Sequence, residues 1–481
     1  MSLSLSYYVR NLFASSYGKD RPKFFIWYPE GTSSAEKKLL FKIDFFILTY
    51  GCLAYFAKWL DQSNLSNAYV SGMKEDLSML GTEYNLAVTC FSVGQIIGLE
   101  LVWAVLTIGT YAVRDVNQLY PLRFFIGFLE GSCFVGMQYV LGSWYKKSEL
   151  GKRTAIFACA AYVGTMISGY LQSAALATLD GRHGIAGWRW VFIIDGIITA
   201  VIAIYGFVFF PDTPYDTKAF YLSAAEKARC LERIVEDGRQ ELVNHFSWDM
   251  FRRAAKTWQL YVLTVLFMFW NTTVGKVANT VMQLYLKNDT EHSWSLYQVN
   301  NVPTAINGWN IVVILLLNVF VDATGYRMIA LTFNLAILIF GTICLVVWDV
   351  RLGLRIVSYL FAGTDGPLSP IYYAWANILT SGDRQVRGLT LAVMNSFGTA
   401  LSTVIQQFLY PVTDAPQFSK GFKASLGFIC GMCMWVVVVR VLEMRELART
   451  SPTTVIESPS DEEASSDRGS GAISVLPDQK A

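Results

Sequence analysis

Residues 119–144, LYPLRFFIGFLEGSCFVGMQYVLGSW, decide how the rest of the chain is read. The run is long and apolar enough to cross a bilayer as a helix, yet Arg123 and Glu130 lie inside it. Their spacing is close to two helical turns, so both charges project from nearly the same side, about 20° apart. Gly127 and Gly131 fall on or near that stripe and would let a neighbouring helix, or a solute, approach the backbone. A charge at the centre of a membrane helix costs about 2.5–3.5 kcal/mol on insertion scales. A span that keeps two of them is expected to use them.

The whole chain fits that setting. Of its 481 residues, 53% are hydrophobic and 16% are charged, and the mean hydropathy is +0.36. Repeated apolar runs of about 20 residues read as membrane-spanning helices. A net charge of +2 gives no electrostatic case for nucleic acid. The eight cysteines are scattered, mostly within apolar runs, which is not a disulfide framework. Cys430 and Cys433 form a CxxC inside the last apolar run and are read as small packing residues. No HExxH, Walker loop or GxSxG occurs, so there is no enzyme signature and no cofactor or metal is expected. Residues 1–42 are polar and basic, without a signal-peptide pattern.

Outward from the central stretch, the spans fall in order. The first covers 45–60, and Arg21, Lys23, Lys37, Lys38 and Lys42 before it place the N-terminus in the cytoplasm. It continues as KWLDQSNLSNAYVSGM (58–73), small and polar enough to line a cavity. Lys58 and Asp61 are one turn apart and either pair with each other or reach to the headgroups. Residues 84–113 carry one charge, Glu100, and are too long for one span and too short for two with a loop. The later loop YKKSELGKR (145–153) should be cytoplasmic, and only a tight two-helix hairpin at 84–113 leaves it there. Spans at 154–177 and 191–210 follow, the latter ending at FFPDTP (209–214), where proline stops the helix.

Residues 211–257 are hydrophilic, and the chain divides there. Six more spans follow, at 258–286, 297–321, 328–348, 355–379, 388–411 and 422–442. The expected organisation is a cytoplasmic segment 1–42, an N-terminal helix bundle 43–210, a cytoplasmic loop 211–257, a C-terminal bundle 258–442 and an acidic, Ser-rich disordered tail 443–481. Asn288-Asp289-Thr290 is a glycan sequon in an expected outer loop. Six spans, a long inner loop and six more spans describe two parallel halves around a central site.

Several sequence words resemble one family. KWLDQSNLSNAYVSGMKEDL (58–77), LRFFIGFLEGSCFVGMQYVLGSWY (122–145), GWRWVFIIDG (187–196), FFPDTP and DRQVRGLTLAVMNSFG (383–398) are similar to the major facilitator superfamily, in its fungal anion:cation symporter branch. That branch includes allantoate, nicotinate, pantothenate and biotin permeases, and YPVTDAPQFSKG (410–421) resembles the pantothenate subgroup. The resemblance implies an all-α 6+6 bundle of nominally 12 spans, the second and third shortened. It implies a secondary transporter in the plasma membrane, a monomer whose partners are the bilayer, a proton and a small organic anion such as pantothenate. A non-transporting sensor or an inactive truncated variant is the alternative, because GQIIG (94–98) runs straight into LELVW (99–103), where relatives carry roughly twenty more residues and a basic latch loop. The second-half counterpart of that latch is partly present as Asp322, Gly325 and Arg327.

In the family's symporters an arginine in the fourth helix meets the anion, and an acidic residue two turns later joins proton coupling; Arg123 and Glu130 occupy those places. A guanidinium keeps its charge and suits a carboxylate. A static Arg123–Glu130 brace is the structural alternative. Further substrate candidates are Lys58, Lys276, Tyr372 and Asn395, the last two with helix packing as an equal reading. Relatives often carry arginine where this chain has Gln62, and Lys58 stands one turn earlier. Asp365, in the Gly/Pro-broken AGTDGP (362–367), is a second proton candidate or a hinge, and Asp61 is a third. His183, His245 and His292 fall in loops, which argues against a histidine relay.

Overall fold

The computed structural model describes residues 11–13, 27–28, 31–79, 83–87, 103–211, 214, 217–236, 248–380 and 382–450, and every regular element among them is helical. Seven of these helices are long and apolar enough to cross a membrane. In the first half, α1 is Ser34–Asp76 and α2 is Trp103–Ala112. Next come α3, Val116–Trp144, α4, Lys147–Thr178, and α5, Gly187–Phe209. The central segment holds α6, Ala224–Glu236, and α7, Asp249–Ala255. The second half holds α8, Trp258–Asn271, α9, Ala278–Lys287, α10, Leu296–Asn301, α11, Thr304–Thr324, and α12, Arg327–Val347. It closes with α13, Leu352–Ala362, α14, Leu368–Leu379, α15, Arg384–Leu409, and α16, Ser419–Thr450.

Eleven of the twelve expected spans thus have a helical counterpart, and the second lies mostly at 88–102, outside the described residues. Tyr84 before the gap and Val113 after it join the same apolar cluster. The hairpin expected at 84–113 falls mostly on residues 88–102, outside the described residues.

Two differences from the expected spans have local causes, and a third is an extension. The span 258–286 is two helices, because Thr272 and Thr273 turn their hydroxyls back onto carbonyls of the preceding turn and Val274–Lys276 form a 3-10 turn. α1 bends at Gly72, whose φ of 118° is cheap for glycine alone. α16 runs on to Thr450, past the expected end of its span. Close helix contact comes at Gly51 and Gly164, where a Cβ would strike Met137 and the Phe56 backbone. The CxxC thiols are both free.

The two ends of the bundle are packed differently. At the end away from the described termini, one cluster joins Tyr69, Met73, Trp188 and Phe192 of the first half to Val281, Tyr285, Tyr359 and Phe422 of the second. Lys287 Nζ reaches across to the Val70 carbonyl at 2.9 Å and to Glu75 at 3.2 Å. At the other end the halves keep separate cores, one around Leu40, Trp144 and Phe157, the other around Leu263, Leu335 and Val439. The molecule is closed at one end and parted at the other.

α6 is fastened to the first half by ion pairs. Arg233 holds Glu149 at 2.6 Å and Glu36 at 2.7 Å, and Lys146 holds Glu236 at 2.7 Å. Arg153 grips Asp44 through Nε at 2.6 Å and Nη2 at 2.9 Å. The bond from Arg229, with help from Lys146, pulls the exposed Glu236 carboxyl down from 4.5 to about 2. A lowered carboxyl contributes above its unfolded value and is lost as pH falls through the folded one, so this clasp should hold until pH drops below the ordinary glutamate range and fail toward about 2. Under the same helix, burial pushes the Cys230 thiol up to about 11, which keeps it in the unreactive form at neutral pH. Arg233→Gln should free α6 and raise maleimide labelling of Cys230 several-fold; unchanged labelling would show that the ion pairs do not hold the helix.

Candidate functional site

A cavity of about 460 Å³ lies between the halves, walled by Lys58, Gln62 and Arg123 on one side and by Lys276, Asp365 and Asn395 on the other. That volume lies within the ~300–1,000 Å³ of small-molecule sites.

Asp61 is the first fixed point. Its side chain is fully buried and accepts from Trp103 Nε1 and Thr107 Oγ1, each at 3.2 Å. Arg123 Nη1 approaches its Oδ1 at 3.4 Å. The expected Lys58–Asp61 pair is not what forms: Asp61 points at α2 and α3, while Lys58 lines the cavity. Arg123 is itself 1% exposed, packs its guanidinium 5.4 Å from the Phe192 ring centre, and has no partner for Nε or Nη2 among the described residues. A guanidinium with spare donors at a cavity wall is built to take an acceptor. The Glu130 side chain is outside the described residues.

The second fixed point is where two broken helices face each other. The α8–α9 break carries Lys276 and the α13–α14 break carries Asp365, and their side chains pair at 2.9 Å. Two separately expected residues thus form one ion pair. Lys276 Nζ also sits 3.4 Å from the Trp270 ring centre, a cation–π contact. The backbone freed by the break is not open to a solute. Asn310 donates to the Gly363 carbonyl at 2.8 Å and accepts from Gly366 N at 3.0 Å, and Trp270 Nε1 donates to the Asp365 carbonyl at 3.1 Å. A Cβ on Gly275 would meet Asp365, which explains glycine there.

Of the neutral candidates, Asn395 lines the cavity and Tyr372 does not. Tyr372 is fully buried in the second-half core, and its neighbour Tyr373 takes the cavity position, donating to Asn395 Oδ1 at 3.1 Å. One residue is about 100° of helix, enough to exchange core for cavity.

Sequence reading passed over Asp195 in α5. It is fully buried and accepts from Asn64 Nδ2 at 2.7 Å. The signal was present, since Asp195 is a charge inside the apolar run VFIIDGIITAV (191–201), as Arg123 is in its own. Asp289, Glu291 and His292 gather in a loop at the closed end. They are loop fastenings: Asp289 takes Trp294 Nε1 at 2.9 Å, and Glu291 reaches Arg355 at 3.5 Å. Of the other histidines, His183 closes a short 3-10 turn, and His245 is outside the described residues.

An all-helical two-halved membrane bundle with a polar, charged cavity between the halves is the architecture of a secondary transporter. The chain belongs to the Major Facilitator Superfamily, whose family model matches residues 96–407. It is 37% identical to the MFS transporter PfmaC of Pestalotiopsis fici over 434 residues, 86% of this chain and 81% of the relative. It is 35% identical to the pantothenate transporter liz1 of Schizosaccharomyces pombe over 413 residues, 81% and 79% of the two chains. In fold it resembles the xylose transporter XylE of E. coli in a partially occluded inward-open conformation, at a TM-score of 0.57 and 14% identity, over 83% of this chain and 97% of that one.

Lys276→Met would leave the Asp365 carboxyl, 4% exposed, without its cation. The expected loss is about 2 kcal/mol, below the 3–5 of a fully buried pair because Lys276 keeps some contact with water. Thermal melting in detergent should show it, with Lys276→Met/Asp365→Leu recovering most of the drop; an unshifted melt would mean the pair is not a brace.

Proposed function

We propose that the protein is a proton-coupled importer of a small organic anion, with pantothenate as its leading substrate, working by alternating access. The observation that carries this reading is Arg123, a buried guanidinium at the cavity wall with spare donors among the described residues. Lys58, Gln62, Tyr373 and Asn395 supply further polar contacts around the same space. Relatives named as pantothenate transporters favour this vitamin over allantoate, nicotinate or biotin. The proton is assigned to the carboxyls beside Arg123, with Glu130 and Asp365 retained as further candidates. The end bearing Lys42, Lys146, Lys147, Arg153 and Arg253 is the cytoplasmic one by the positive-inside rule. Both termini then lie inside, the closed end faces out, and the conformation is the inward-facing one of a monomer in the plasma membrane. A second reading, a non-transporting sensor or inactive variant, is favoured by one feature of the sequence, GQIIG (94–98) running straight into LELVW (99–103).

In a permease-deficient yeast strain, the chain should restore uptake of labelled pantothenate that rises on acidification and collapses with a protonophore. Arg123→Ala should lower uptake at least about 30-fold, since losing a buried charge partner costs 2 kcal/mol or more. Uptake untouched by that change would remove the anion-site reading. No uptake by the chain as it stands, with uptake restored when the segment at 98–99 is lengthened, would establish the inactive variant instead.

A further inference from the structure

We propose that Asp195 is the residue that binds the coupling proton, and that a polarised hydrogen-bond chain ties its charge to the closure between the two halves. The proposal rests on the proton-coupled reading above and names the group within it.

Asp61, Asp195 and Arg123 interact electrostatically in one buried cluster. With both carboxyls ionised the cluster carries one net negative charge away from water, a costly arrangement. One proton makes it neutral. The two carboxyls are not equivalent receivers of that proton. Asp61 takes the guanidinium of Arg123 along with Trp103 and Thr107. Asp195 has only neutral donors among the described residues, Asn64 at 2.7 Å on Oδ2 and Thr199 at 3.5 Å on Oδ1. The charges facing it are Asp61 from α1 and Arg123 from α3; Lys58 stands one turn from Asp61 on α1, and Trp103–Ala112 of α2 and 154–178 of α4 contain no acid or base other than tyrosines and the Cys159 thiol. The proton therefore goes to Asp195. An organic anion arriving at Arg123 adds a negative charge that this proton offsets, which links the two cargoes.

The second observation is the chain itself. Gln283 Nε2, on α9 of the second half, donates to Asn67 Oδ1. Asn67 Nδ2 donates to Ser168 Oγ at 2.5 Å, Ser168 Oγ to Asn64 Oδ1 at 2.6 Å, and Asn64 Nδ2 to Asp195 Oδ2 at 2.7 Å. Every donor points toward Asp195, and each of these side chains is buried. An ionised terminal acceptor strengthens such a chain cooperatively. Its far link joins the halves at their closed end, so the ionised form favours closure there and the protonated form loosens it.

The test uses purified full-length protein and two arms. Infrared difference spectra across an acidifying pH step, without substrate, should lose one protonated-carboxyl band in Asp195→Asn. In reconstituted vesicles the acid stimulation of labelled pantothenate uptake, up to about tenfold per pH unit for a one-proton step, should flatten in the same variant. An unchanged band with unchanged acid stimulation overturns the proposal. Should Asp195→Asn fail to fold, Asp195→Glu serves: it should shift the band and the acid profile together, and unshifted values overturn the assignment. Wild-type vesicles that carry no pantothenate would defeat the substrate reading alone, because the infrared arm still decides Asp195.

Discussion

The carboxyl of Asp61 holds the first half in register. It is fully buried, and its three donors come from two other helices, Trp103 and Thr107 on α2 and Arg123 on α3. In a hydrocarbon setting there is no water to substitute for any of them. The bonds from Trp103 and Thr107 tie α2 to α1. Arg123 is in turn aimed by Asp61, which occupies Nη1 and leaves Nε and Nη2 for something else. The same contact thus seats a helix and directs a guanidinium at the cavity wall.

The second half solves the same problem without a net charge. Lys276 and Asp365 neutralise each other where two helices break, and Asn310 and Trp270 absorb the backbone that the breaks release. Breaks of this kind are tolerated at membrane depth only where protein satisfies them. The two walls of the cavity therefore differ in kind. One is a balanced pair packed on an aromatic ring, and the other is a cluster with one more acid than base among its described members.

Much of this was legible in the sequence, and the reasons are particular. Span positions follow from apolar length, and the hairpin expected at 84–113 comes from counting charges in the loop at 145–153. Arg123, Lys58, Lys276, Asp365 and Asn395 were found because cations, acids and amides within apolar runs stand out, and all five line the cavity. Pairings were not legible. Lys58–Asp61 looked natural at one turn, yet Asp61 turns to helices that sequence distance cannot rank. Tyr372 and Tyr373 differ by one position, and only packing tells which faces the core. Asp195 carried the same mark as Arg123 but sat in a word read for resemblance rather than for charge.

Closure at one end explains why the missed residue matters to the rest. The contacts that seal the halves are of two kinds. The apolar cluster around Tyr69 and Tyr285 and the reach of Lys287 to the Val70 carbonyl stand apart from Asp195. The link from Gln283 to Asn67 does not, because it is the first bond of a series ending on that carboxyl. A switch needs a large insensitive contact to define the closed state and a small sensitive one to tip it, since a ligand moves an equilibrium only through differential interaction with the two states. In the proposed reading the sensitive contact ends beside Arg123, so an anion and a proton would bear on one buried cluster while the gate is several side chains away.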